Sequence, residues 1–309
     1  MRKFWIDTDT ASDDAVAILM ASRWPDVEVV GVSIVVGNMP VEIGCKNARY
    51  TLELCGKQTP VYLGAPKPLL REPSFAYFFH GPDGMGGMNY PEPKLGIQPK
   101  HAVEALIETV RAHPGEITLV TIGPLTNIAL ALAQAPDLVE KIPICYVMGG
   151  AAVTLGNITP AAEYNIWVDP EAARMVFHSG LHIVMTGWEL CRGDANLSEE
   201  DMAYVHSLKT IYGNFAIECN RQAIETNRNW LKDPALPLPD PVTMSCALDP
   251  SVMLRKSWHY VDVETLSEVT RGMTVVDELG VLNKKANIEV CWQIDVPKWK
   301  ETLYKTLRE

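Results

Sequence analysis

The chain has 309 residues, 47% of them hydrophobic and 21% charged, which suits a globular protein with a sizeable core and excludes a disordered chain or a coiled coil. Its formal net charge of −11 argues against a generic nucleic-acid binder and favours an acidic site that recruits a cation. Seven cysteines are scattered without CxxC or paired spacing, as reduced thiols of a cytoplasmic protein would be.

Residues 3–6 predict a short strand, and Asp7 arrives too early for the apolar core of a signal peptide. After a polar loop, residues 14–23 carry Val16, Ala17, Leu19 and Met20 at helical spacing. Residues 27–36 are rich in β-branched side chains, as in a strand buried on both faces. A helix over 41–55 and a strand over 61–63 follow. Residues 64–99 hold seven Pro and six Gly, too many for a regular element, and predict a lid or site wall. A helix is expected over 102–112. Residues 117–136 run without a charge and could pass for a membrane span, but Gly123-Pro124 splits them into a strand (117–122) and a helix (125–135). Strands over 142–148 and 181–185 flank a helix over 170–178, begun by Asp169-Pro170 as cap and first residue. Residues 199–229 read as polar and helical. Residues 233–241 carry four Pro, and a short helix is expected after Pro241. Strands fill 258–295, with a turn near 277–280, and a helix follows Pro297.

Strands alternating with helices imply right-handed βαβ crossovers. The expected fold is α/β, an open, mostly parallel, Rossmann-like sheet flanked by helices, in a single domain over 1–309. Ligands in such sheets bind beyond the carboxyl ends of the strands. Asp7-Thr8-Asp9-Thr10-Ala11-Ser12-Asp13-Asp14, Gly37-Asn38, Gly123-Pro124-Leu125-Thr126-Asn127 and Gly149-Gly150 all follow predicted strands, so the site belongs at that end.

Asp7, Asp9, Asp13 and Asp14 form the strongest chemical signal. Carboxylates this close repel one another, and burying them is costly unless a cation binds. Oxygen ligands without His or Cys point to Ca²⁺ or Mg²⁺. The plainer alternative is that Asp13 caps the following helix and the others are solvated. Asp-x-Asp after a strand also occurs in haloacid-dehalogenase-like phosphatases, but Thr10-Ala11 replaces the usual Gly-Thr/Ser and no later Lys stands at a suitable strand end. In the segment 156–170, Asn157, Glu163 and Asn165 offer amides and a carboxylate that suit sugar hydroxyls. In an extended segment, alternation would put Glu163 and Asn165 on one face.

Together these segments resemble the nucleoside hydrolases, the inosine-uridine-preferring nucleoside N-ribohydrolases. The residues that carry the resemblance are the stretch from Asp7 to Ala15, Val36-Gly37-Asn38, Gly123 to Ala129, Pro160 to Asn165, Asp240-Pro241 and Thr270 to Asp277, in family order over nearly the whole chain. The resemblance implies hydrolysis of the N-glycosidic bond of ribonucleosides to free base and ribose. Asp9, Asp14 and Asp240 match calcium-binding carboxylates, and Ile122 matches the residue that lends a backbone carbonyl. Asp9 also matches the base toward a metal-bound water. Asp13, Asn38, Asn157, Glu163 and Asn165 match ribose contacts. Homo-oligomers are common in the family; neither a nucleic acid nor a membrane is an expected partner.

One position departs from the family pattern. Many members carry an acid His immediately before the last calcium-binding Asp, where this chain has Pro239. Pro cannot deliver a proton to the leaving base. Other branches rely on aromatic stacking. Candidates here are His80, which matches a second family histidine near the base, and Trp188, Tyr212 and Trp230 as stacking walls, for which core packing is the plainer role. Cys191 is a further candidate for the base pocket, against an inert buried thiol. A binding-only protein that keeps the ribose contacts without turnover is the alternative function.

Overall fold

The apolar run Phe4-Trp5-Ile6 is fully buried at the centre of β1 (Arg2–Thr8). The computed structural model describes residues 1–308. In chain order there follow α1 (Ser12–Arg23), β2 (Val27–Ile34), α2 (Val41–Leu54), β3 (Val61–Leu63), α3 (Tyr77–His80), β4 (Ile97–Gln98) and α4 (Ala102–Ala112). Next come β5 (Ile117–Thr121), α5 (Thr126–Gln134), α6 (Leu138–Lys141), β6 (Ile144–Met148), α7 (Tyr164–Val168), α8 (Pro170–Phe177) and β7 (Ile183–Thr186). The remainder holds α9 (Glu199–Ser207), α10 (Ile211–Glu218), α11 (Arg221–Thr226), α12 (Pro239–Leu248), β8 (Met253–Val263), β9 (Thr274–Asp277), β10 (Ile288–Ile294) and α13 (Val296–Leu307).

The strands form one ten-stranded sheet in the order β4-β3-β2-β1-β5-β6-β7-β10-β8-β9. All neighbours pair in parallel except β10 with β8 and β8 with β9. The fold is therefore single-domain α/β with a mostly parallel sheet, as the alternation predicts. Helices cover both faces, each over its own apolar cluster. Side chains of α1, α2, α12 and α13 fill one cluster, and those of α4, α5 and α8 fill the other. From β1 the chain runs outward through β2, β3 and β4, then returns to β5 on the other side of β1. The strand order thus reverses between β1 and β5, and a crevice opens beyond their carboxyl ends. Backbone bonds from Val35 N to Thr8 O (2.9 Å) and from Ile122 N to Asp7 O (2.8 Å) hold both neighbours against the end of β1.

Several expected bounds shift. The strand expected over 27–36 stops at Ile34, and that expected over 117–122 stops at Thr121, because the chain turns into the crevice there. Residues 64–99 are not wholly irregular. They contain α3, and β4 extends the sheet by pairing with β3. The polar stretch 199–229 breaks into three helices and a π-helical turn (Asn227–Leu231). The helix expected after Pro241 starts at Pro239 and is buried over most of its length. All seven cysteines are free. Among the described residues no helix is long and apolar enough to cross a membrane.

Candidate active site

The turn from β1 into α1 places three aspartates at the crevice. Asp9 lies just beyond β1, fully buried, with Oδ2 accepting from Asn38 N at 2.5 Å. The site depends on two glycines for room. A Cβ on Gly37 would sit 2.1 Å from Asp9 Oδ2, and one on Gly123 would sit 2.8 Å from Asp9 N. Both glycines follow neighbouring strands, which explains why those strand ends carry no side chain. Asp14 lies in the first turn of α1, where its Oδ2 accepts from Ala11 N (2.9 Å) and its Oδ1 from Thr8 Oγ1 (2.5 Å). Ala11, not Asp13, is the cap residue of α1, so Asp13 is left without that duty. Asp240 comes from the first turn of α12, which Pro239 opens; a helix N-terminus favours a carboxylate there.

Asp13, Asp14 and Asp240 each bring a carboxylate oxygen into a group spanning no more than 4.8 Å, and all three residues are buried. Burial, with the neighbouring charges, raises Asp9 and Asp240 well above the usual carboxylate range. Burial and the nearby Asp14 push Asp13 up to about 7. Burial also raises Asp14, which contacts both Asp9 and Asp240. Asp9 Oδ1 and Asp13 Oδ1 have no hydrogen-bond partner. Orphaned carboxylate oxygens in a crowded, dry, all-oxygen cluster are what a hard divalent cation would satisfy, so the residues fit a metal site. The carbonyl of Ile122 stands just past β5 on the cavity wall, accepting from Asn165 Nδ2 at 3.3 Å.

A cavity of about 450 Å³ opens above this cluster, a size that suits a small-molecule ligand. Asp13, Asn38, Asn157, Glu163, Asn165, Ile122 and Asp240 line its polar part. Glu163 and Asn165 do not alternate along an extended segment. Glu163 caps α7, its carboxylate accepting from Asn165 N (2.9 Å), Ile166 N (3.3 Å) and Gly150 N (2.9 Å), and Asn165 lies in the first turn. Burial nevertheless pushes Glu163 up to about 7. Asn165 spends its Nδ2 on the Ile122 and Met148 carbonyls, which leaves Oδ1 to accept. Asn157 Oδ1 accepts from Tyr164 N (2.9 Å), which leaves its Nδ2 to donate. The two amides thus offer opposite polarity to a diol.

The other part of the cavity is aromatic: Phe78, Phe79, Trp188 and Trp230. His80 is buried at the join, its Nδ1 2.8 Å from Ser12 Oγ and 3.9 Å from Asp13 Oδ1. Burial lowers its imidazole to about 3, so it is neutral near pH 7. Tyr212 is not part of the cavity. It packs on the core cluster under Arg23, whose guanidinium lies 3.5 Å from the ring centroid. Cys191 is buried and donates to Trp188 O, the behaviour of an inert thiol. Asp7 also stands apart, with Oδ2 bonded by Ser33 and Asn127 beneath the crevice. Sequence reasoning missed Phe78, Phe79, Asn227 and Arg192 on the cavity wall. The aromatic pair next to His80 in a Gly-rich segment was a signal for the first two; nothing in the sequence marks Arg192.

The sequence model of the inosine-uridine preferring nucleoside hydrolases matches residues 4–301. Over 309 residues the chain is 39% identical to the uncharacterized protein C1683.06c of Schizosaccharomyces pombe, covering 99% of this chain and 98% of that one. It is 37% identical over 313 residues to the pyrimidine-specific ribonucleoside hydrolase RihA of Shewanella baltica, covering 99% and 96%. Among solved structures, the plant nucleoside hydrolase PpNRh1 superposes with a TM-score of 0.94 at 30% identity, over 99% of this chain and 98% of that one. The chain is a nucleoside hydrolase and belongs to the inosine-uridine preferring nucleoside hydrolase family.

Proposed function

We propose that this chain cleaves ribonucleosides to free base and ribose, with Asp9 as the base toward the attacking water and Ca²⁺ held by Asp9, Asp14, Asp240 and the Ile122 carbonyl. The observation that carries this reading is the buried group of Asp13, Asp14 and Asp240 beside Asp9, whose Oδ1 lacks a partner, at the end of a nucleoside-sized cavity. When bound, such a cation supplies fixed positive charge for a sugar diol and acidifies water. Asp9 has Oδ2 fixed by Asn38 N–H, so its carboxylate is held in one orientation for both duties, as a cation ligand and as a proton acceptor. Asp13 and the side chains of Asn38, Asn157 and Asn165 orient the ribose. Glu163, whose carboxylate is fixed by backbone N–H groups, is the group assigned to stabilise the positive charge that builds on the ribose ring. His80, neutral and bonded to Ser12, orients substrate through hydrogen bonds and does not act as the acid.

The RihA relatives are pyrimidine-specific by name, and we carry that preference to this chain as its expected substrate class. Neither the family match nor the cavity favours a phosphatase or a binding-only protein. The test is release of reducing sugar from uridine, cytidine, inosine, adenosine and guanosine with Ca²⁺ present. Turnover is expected, fastest with a pyrimidine nucleoside; absence of sugar from all five contradicts the reading.

A further inference from the structure

Resting on the hydrolase reading above, we propose that Arg192 stabilises the departing base and selects bases that carry a carbonyl where others carry an exocyclic amine. Breaking the bond between C1′ and the base nitrogen leaves the electron pair on the base. Water adds to C1′ and its proton goes to Asp9, so the base departs as an anion unless something protonates it. Pro239 has no proton to give, and His80 is buried with Nδ1 taken by Ser12. The cavity meanwhile holds carboxylates at its polar end, which oppose a developing anion.

Arg192 is the one lysine or arginine on the cavity wall among the described residues. It follows the 3-10 turn Trp188–Cys191 and is exposed. Its guanidinium lies 6.0 Å from the Trp188 ring centroid, and its one side-chain hydrogen bond is a long one, 3.4 Å to the neutral Thr154 Oγ1. The cation is therefore held beside an aromatic wall without a carboxylate to neutralise it. An arginine keeps its proton at any ordinary pH, so it acts as a fixed donor and charge and not as an acid. The base then takes its proton from solvent after release, and Asp9 returns its own. Negative charge on departing uracil or hypoxanthine spreads onto a carbonyl oxygen that cytosine and adenine replace with an amine. A guanidinium donor meets the first pair and gains little from the second.

The experiment compares Arg192→Met and Arg192→Lys with the wild type on uridine, cytidine and p-nitrophenyl β-D-ribofuranoside, whose leaving group departs unaided. With Arg192→Met, kcat/KM for uridine is expected to fall about 100-fold, the uridine-to-cytidine ratio to drop toward one, and the nitrophenyl riboside to stay within about threefold. Arg192→Lys is expected to recover part of the uridine loss. Equal loss on the nitrophenyl riboside would assign Arg192 a structural role, and an unchanged uridine rate would remove it from the reaction; either overturns the proposal. A wild-type chain inert toward all three substrates overturns the hydrolase reading itself.

Discussion

At the polar end of the cavity, Asp9, Asp13, Asp14 and Asp240 are buried and fixed by strand ends and first turns of helices, whereas at its mouth Trp230 is 71% exposed and Phe78 51% exposed. The floor is anchored by backbone donors such as Asn38 N and Ala11 N. The mouth is held mainly by side chains resting on one another: Phe78 stacks on Trp230 with centroids 5.7 Å apart and planes 15° apart, and Trp230 rides on a π-helical turn. A cluster of like charges needs a rigid frame, because any relaxation would let the carboxylates splay into water. An aromatic rim needs only surface to stack against, so it can vary without disturbing the fold. We propose that the hydrolytic chemistry resides in the rigid part and that discrimination among bases resides in the adaptable part.

That division is open to direct attack, beginning at the floor. Asp9→Ala is expected to lower kcat about 10³-fold with an unchanged circular dichroism spectrum; near-normal turnover would remove Asp9 as the base. Stripping divalent ions with EDTA is expected to cost about 10²-fold or more, restored by Ca²⁺, and full activity in EDTA would separate the cluster from catalysis. At the mouth, Trp230→Ala is expected to raise KM about tenfold and leave kcat within about twofold, the loss of one stacking surface. A fall in kcat matching the Asp9 variant would show that mouth and floor do not divide the work as described.

The smallest effect is expected far from the cavity. Burial opposes ionisation of Asp201, but bonds from Lys300 Nζ, Tyr304 Oη and Ser198 overcome it and hold its carboxyl down to about 2. A depressed carboxylate stabilises the fold above its unfolded value and loses that contribution as pH falls toward the folded value. Asp201→Asn is therefore expected to lower Tm by a few degrees at pH 7, with the gap to wild type closing as pH falls from about 4 to about 2. A gap constant with pH would mean the contact is not ionic.

Part of the floor was legible in the sequence because Asp9 and Asn38 stand in polar turns that follow β-rich runs, so period and position bring them to the site end of the sheet. Ile122 was read as the last residue of its strand, and its carbonyl role came only from the family pattern. Asp240 could be placed only through the family pattern, since nothing local ties it to β1; packing of α12 against α1 brings it there. Glu163 and Asn165 were read in an extended segment because the five-residue α7 is too short to show helical periodicity; the structure brings both to the cavity wall. Tyr212 went astray for a similar reason. A tyrosine in a helix carries no mark of which side it faces, and only Arg23 beneath α10 decides it. Arg192, a single cation after a four-residue turn, has no spacing to read at all; its meaning comes from the cavity around it.

The central claim is that the buried carboxylates form a divalent-cation site, and titration of chelator-stripped protein with Ca²⁺ by isothermal calorimetry tests it most directly. Saturable uptake of a single ion per chain, lost in Asp240→Asn, is the predicted result. No saturable heat from the wild type, or uptake undiminished in Asp240→Asn, would contradict it.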